Sequence, residues 1–165
     1  MTEEEQLKWG SHLPPLMACL AATTGPVLEL GVGHFSTPVL HAYCAAAKRV
    51  LVSVEDNLVW YDAFKKYQSP THHMMFGNYN AFTFPPANGP SRWGVSFIDN
   101  SPGGLGRSVP FSNLIGVSDY VVVHDYHHDN EEFIGPLLTP DIFWSVYRDY
   151  EPPTLIASRT LKPPL

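Results

Sequence analysis

The feature that most constrains this chain is the run Val27-Leu28-Glu29-Leu30-Gly31-Val32-Gly33-His34-Phe35-Ser36-Thr37, in which apolar residues end in a glycine turn that opens a helical pattern. A strand delivered into such a turn is the opening unit of a nucleotide-type α/β fold. Glycine is needed there for backbone angles closed to other residues, and for letting a ligand reach the main chain without meeting a Cβ. The loop is built to hold something.

The rest of the chain supplies the units that such an opening requires. Residues 50–54, 72–76, 94–98 and 120–123 read as further strands, and the near-continuous apolar character of the last two suits a parallel sheet covered on both faces. Residues 142–147 and 154–158 read as an antiparallel pair closing the sheet edge. Helices are expected over residues 16–22, stopped by Gly25-Pro26, and after the glycine loop, with Ser36 as cap and Pro38 in the first turn. Another follows Asn57, where Leu58, Tyr61 and Phe64 recur at helical spacing before Ser69-Pro70. Residues 84–90 are too proline-rich for a helix, so one crossover helix is missing. With no repeat or linker, residues 1–165 read as one domain of α/β class, a Rossmann-like, mostly parallel sheet with helices on both faces and an antiparallel C-terminal edge.

Composition narrows the partners. A charge of -6 with only ten Lys and Arg argues against a nucleic-acid partner, whose phosphates are held by basic side chains. Cys19 and Cys44 form no C-x-x-C pair, so neither a disulfide framework nor a zinc ribbon is expected. The acidic start Met1-Thr2-Glu3-Glu4-Glu5 lacks the features of a signal peptide, and no apolar run approaches a membrane span, which points to a cytoplasmic protein with no membrane partner.

Three side chains bear on the loop's ligand. The third glycine of a dinucleotide loop is replaced by Ser36, and Glu29 would repel a pyrophosphate but attract the ammonium of an amino acid. Ser36 and Thr37 can donate to that amino acid's carboxylate at the helix start. A second acid, Glu55, follows the next apolar run, where an acid commonly takes ribose hydroxyls. An amino acid joined to a nucleoside is S-adenosylmethionine. The plainer readings are that Glu29 buffers loop amides and that Glu55 caps the following helix.

On Glu29-Leu30-Gly31-Val32-Gly33, Glu55 and the strand order over residues 26–126, the chain resembles the class I S-adenosylmethionine-dependent methyltransferases. The resemblance implies that Gly31 and Gly33 contact the methionine part, that Glu55 holds the ribose, that Asn78 lies near the adenine, and that Asp99 lies beside the reacting methyl group. Two segments at strand ends should carry the chemistry, Asp99-Asn100-Ser101-Pro102-Gly103 and His124-Asp125-Tyr126-His127-His128. Methyl transfer to a hydroxyl needs an aligned acceptor and a base or a metal. Asp99, Asp125 and His124 are the catalytic candidates. Asp99, Asp125 and His127 are the candidate ligands of a divalent ion, in a pattern similar to metal-dependent O-methyltransferases whose third oxygen ligand has no counterpart here. Asp99 also reads as an ordinary turn residue, the histidines as solvated surface, and Arg107 as either an anion site or a loop cap.

The function expected from the sequence is methyl transfer to a small-molecule hydroxyl, on a sugar or a natural-product intermediate, in a chain that can pair with a second copy to complete the acceptor pocket. Two other classes stay open: a non-catalytic module that binds S-adenosylmethionine, and an NAD-dependent oxidoreductase.

Overall fold

The computed structural model describes residues 10–81 and 91–165. Among them, β1 (Val27–Leu30), β2 (Leu51–Glu55), β3 (His72–Phe76), β4 (Trp93–Ile98), β5 (Ser118–Val123), β6 (Phe143–Tyr147) and β7 (Thr154–Ser158) form one sheet in the order β3-β2-β1-β4-β5-β7-β6. The first five strands run parallel, and β7 is antiparallel to both of its neighbours. The expected C-terminal antiparallel pair is therefore present, with the later strand slotted inside the earlier one. β1 pairs with β2 on one side and with β4 on the other, and the reversal of strand order there opens a crevice at the carboxyl ends of β1 and β4.

Alternation along the strands divides the core in two. Val27, Leu51, Val95, Phe97, Tyr120 and Val122 point to one face, where α1 (Leu13–Ala21) and α2 (Ser36–Ala46) bring Leu16, Leu20, Leu40 and Cys44. Leu28, Leu30, Val54, Ile98, Val121 and Val123 point to the other, against Phe111 and Leu114 of α4 (Leu105–Leu114) and Ile134 of α5 (Asp129–Ile134). Each of these fully buried side chains contributes about 1.5–3 kcal/mol of transfer free energy. α3 (Leu58–Phe64) lies between β2 and β3 in the chain and starts where the sequence puts it: the Asn57 side chain accepts from the amides of Val59 at 3.0 Å and Trp60 at 3.3 Å.

One local expectation is corrected. Ser36 does not cap α2; Phe35 holds the N-cap position without a side-chain bond, and Ser36 is the first helical residue, buried. α4 carries Gly106 and Pro110, which hide its helical period. Pro110 has no N–H for the Gly106 carbonyl, and that carbonyl accepts from Asn100 Nδ2 at 3.0 Å instead, so the interruption becomes a tie to the end of β4. The acidic opening and the proline-rich segment at 84–90 lie outside the described residues. No helix among the described residues is long and apolar enough to cross a membrane.

Candidate active site

The glycine turn is tied down from within the chain. Gly31 has φ +86°, and a Cβ there would sit 2.7 Å from the Asp99 carbonyl oxygen and 2.8 Å from Asn100 backbone, so this glycine serves the crossing of two chain segments. At Gly33 a Cβ would meet only Ser36 Oγ, at 3.4 Å, which leaves its face open to the crevice. The amides of Gly31, Val32 and Gly33 donate to Val54 O, Glu55 Oε2 and Thr37 Oγ1 at 3.0, 3.0 and 2.9 Å. A pyrophosphate cradle needs such amides free. Among the described residues, the amides of residues 34–36 at the start of α2 have no acceptor.

Glu29 is not in the crevice. It is wholly buried beneath the loop, accepting from Thr37 Oγ1 at 3.0 Å and Ser53 Oγ at 2.5 Å. Its position corrects the expectation of an ammonium partner, and it takes no loop amide either: its oxygens are engaged by hydroxyls of α2 and β2. Burial raises its carboxyl to about 7, although the hydroxyls of Ser53, Ser36 and Thr37 pull the other way. The Thr37 hydroxyl, spent on Glu29, is likewise withheld from a ligand. Behind Glu29 the polar chain continues: Ser53 Oγ lies 2.9 Å from His72 Nε2, and His72 Nδ1 lies 3.0 Å from His41 Nδ1. Burial, then His41, lowers His72 to about 4, which keeps it neutral.

At the end of β2, Glu55 lines the crevice with most of its capacity in use. It accepts from Val32 N, from Asn57 N at 2.8 Å and from Tyr79 Oη at 3.1 Å. Asp56, which the sequence reading passed over, is exposed beside it and shares the Tyr79 hydroxyl at 3.0 Å. Trp60, also passed over, lines the same end with His34 5.6 Å from its ring. Asn78 is corrected: it is exposed, away from the crevice, and its side chain accepts from Asn80 N. Its neighbour Tyr79 occupies the wall.

The ends of β4 and β5 meet through Arg107. Its guanidinium donates to the carbonyls of Asn100 at 2.8 Å and His124 at 2.6 Å, and pairs with Asp99 at 3.1 Å and Asp125 at 3.3 Å. Of the two sequence readings for Arg107, the loop cap fits, because its donors are engaged within the chain. His124 Nδ1 faces Asp99 Oδ1 at 3.1 Å, and its Nε2 lies 2.9 Å from Ser11 Oγ, which itself donates to Pro152 O at 2.8 Å. Burial alone would raise the Asp99 carboxyl, but the His124 hydrogen bond and the Arg107 charge outweigh it and hold it below the ordinary carboxylate value. Asp125, at φ +53°, turns its half-buried side chain back toward the same cluster.

His12 completes this end, and no sequence pattern announced it. It precedes α1, is 2 % exposed, and packs its ring 4.5 Å from that of His124 and 4.8 Å from that of Phe97. Burial, then His124, lowers it to about 3, so it is neutral. The candidate ion ligands are corrected here. His127 packs its ring at a tilt against that of His128, 4.7 Å away, and takes no part in the cluster, whereas His12, Asp99 and His124 bring ligand atoms within 4.8 Å of one another.

Both ends belong to one cavity of about 880 Å³, which is within the range of small-molecule sites. Gly31, Gly33, Ser36, Glu55, Asp99, His124 and Asp125 line it; Glu29, Asn78 and His127 do not.

No protein-family model and no curated relative matches the chain. Solved structures do. An O-methyltransferase from Bacillus cereus, in complex with SAH, is similar with TM-score 0.65 and 12% identity, over 88% of this chain and 78% of that one. The SAH-bound methyltransferase PaMTH1 of Podospora anserina is similar with TM-score 0.65 and 14% identity, over 96% and 79%. A putative rRNA-methylase from Clostridium thermocellum is similar with TM-score 0.61 and 10% identity, over 90% and 95%. At these identities the likeness shows a shared fold, that of the class I methyltransferases. It also corrects one expectation: the same fold appears in proteins named for rRNA, so the low count of basic residues does not exclude a nucleic-acid partner.

Proposed function

We propose that the chain is an S-adenosylmethionine-dependent methyltransferase whose acceptor offers a hydroxyl, with a small molecule as the first candidate. The observation that carries this reading is the single cavity that joins the glycine turn and the β2 acids at one end to the Asp99, His124 and Asp125 cluster at the other. The residues present fit the donor. The open amides at the start of α2 suit its carboxylate, the Gly33 face admits its chain, Glu55 and Asp56 offer acceptors to ribose hydroxyls, and Trp60 offers an apolar face to a base. The spent amides at residues 31–33 speak against a dinucleotide, and so against the oxidoreductase.

Bound S-adenosylmethionine supplies a methyl group already activated on a sulfonium. The chain's own residues then have to align the acceptor oxygen and take its proton. In this reading Asp99 stands beside the methyl group, held ionised by His124 and Arg107. Asp125, the more exposed carboxylate, receives the acceptor's proton. Arg107 fixes both carboxylates and so acts as a positioning residue.

Calorimetry with S-adenosylhomocysteine and with NAD, followed by transfer of a labelled methyl group to a panel of hydroxyl, amine and RNA acceptors, tests the reading. The homocysteine analogue should bind and a hydroxyl acceptor should take label. Tight NAD binding without a response to the analogue refutes it, and binding without turnover on any acceptor favours the non-catalytic module.

A further inference from the structure

We propose that His12, Asp99 and His124 form a binding site for a first-row transition-metal ion, with nitrogen ligands from both imidazoles and one carboxylate oxygen. Two independent observations meet here. The first is geometric: one ligand atom from each residue lies within 4.8 Å of the others, at the inner end of the cavity. The second is a deficit: both ring nitrogens of His12 are buried, and neither has a hydrogen-bond partner among the described residues. A buried polar atom without a partner is costly, and native structures leave few of them unless an ion, a water or a ligand meets them.

The surroundings favour a metal over a bare hydrogen bond. His12 is held by its place at the start of α1, and its ring is fixed against those of Phe97 and His124, so one face is committed to packing and its edge to the cluster. His124 is braced by Ser11, which is itself anchored on Pro152, in the way an outer hydrogen bond orients a ligating imidazole. The Nδ1 to Asp99 contact is one that an ion can enter in place of the shared proton. Metal bonds of about 2.0–2.2 Å put ligand atoms about 3.4 Å apart in a tetrahedron, so the three ligand atoms draw together when an ion binds. Asp99 and Asp125 bring two negative charges against the one positive charge of Arg107, so the pocket keeps a surplus that a dication satisfies.

The donor set decides the kind of ion. Two imidazoles and a carboxylate suit zinc, iron, cobalt or nickel, whereas magnesium and calcium prefer oxygen alone. The site thus differs in residues and in preference from the Asp99, Asp125 and His127 set suggested by the sequence. It stands apart from the methyl-transfer reading, since binding is measured with no methyl donor present.

The test is titration of the chelator-treated full chain with Co(II), Zn(II) and Mg(II), followed by calorimetry and by the visible absorption of Co(II). One equivalent of Co(II) or Zn(II) should bind, a large excess of Mg(II) should not displace it, and His12→Ala should weaken it by at least about tenfold, the lower bound for losing even an outer-shell partner. His127→Ala should bind as the parent does. In the parent chain, Co(II) should broaden the ring resonances of His12 and His124 first, a readout that survives any misfolding of the variant. Absence of stoichiometric binding, preference for Mg(II), retention of affinity in His12→Ala, loss in His127→Ala, or broadening centred on other histidines would each overturn the site.

Discussion

The two ends of the cavity are built on opposite principles. At the glycine turn most polar groups are answered inside the chain: the amides of residues 31–33 have acceptors, Glu29 and Glu55 have donors, and the amides at the start of α2 stay open. At the far end, charges are gathered around one arginine, and the His12 nitrogens have no partner among the described residues. The first end is a braced scaffold that meets a ligand with a few open amides and the β2 acids. The second is a cluster that a ligand has to complete, and polar groups kept ready in this way are what chemistry needs.

The contrast can be broken first at Gly31. Gly31→Ala places a Cβ against Asp99 and Asn100 backbone in a left-handed conformation, so strain and overpacking together should cost about 2–6 kcal/mol, read by urea unfolding. A loss under about 1 kcal/mol would mean that the crossing is slack. Arg107→Met comes next, at about 3 kcal/mol, because it strands two carboxylates and two carbonyls. It carries a pH signature. Asp99 is held below its unfolded value, so its contribution is full above about pH 4 and is lost as pH falls further; the variant should show a shallower acid loss.

Glu55→Ala should weaken S-adenosylhomocysteine binding by about 1–3 kcal/mol, through a loosened turn as well as lost ribose contacts, and calorimetry of Asp56→Ala beside it separates the two. Glu29→Gln sharpens the scaffold end. A carboxyl raised to about 7 from 4.5 binds its proton more tightly in the fold, so it withdraws stability as pH rises between those values. His72 and His12, lowered from 6.5, withdraw it as pH falls. The variant keeps only the histidine slope, and unfolding midpoints that still decline toward pH 7 would contradict this. Smallest in stability is Gly33→Ala, within about 0.5 kcal/mol, since only Ser36 Oγ stands near the added carbon. Binding of the homocysteine analogue should fall all the same, and unchanged affinity would remove Gly33 from the ligand's path.

The same contrast explains what the sequence disclosed. Strands β1, β2, β4 and β5 are mostly apolar and buried on both faces, whereas the edge strand β3 is half exposed, and a contiguous strand and glycine turn can be read without knowing what lies beside it. The ends of the sheet carried Gly31, Glu55 and Asp99 to the crevice for that reason. Glu29 misled because its partners, Thr37 and Ser53, come from two other elements, and only their approach shows that its charge is already engaged. Asn78 misled by one position, since Tyr79 is the residue turned inward. His12 left no signal: a histidine ahead of a proline-led helix has no pattern of its own, and it acquires neighbours only when α1 packs over Phe97 and His124.

β7 is made after β6 yet lies between β6 and β5. The Pro152 and Pro153 carbonyls just ahead of it receive the Ser11 hydroxyl and the Tyr126 amide. During synthesis, then, the inner wall cannot close while the ribosome still holds this strand, and a partly made chain has a sheet but no finished chamber. Competence to bind at that wall reports that β7 has been threaded home.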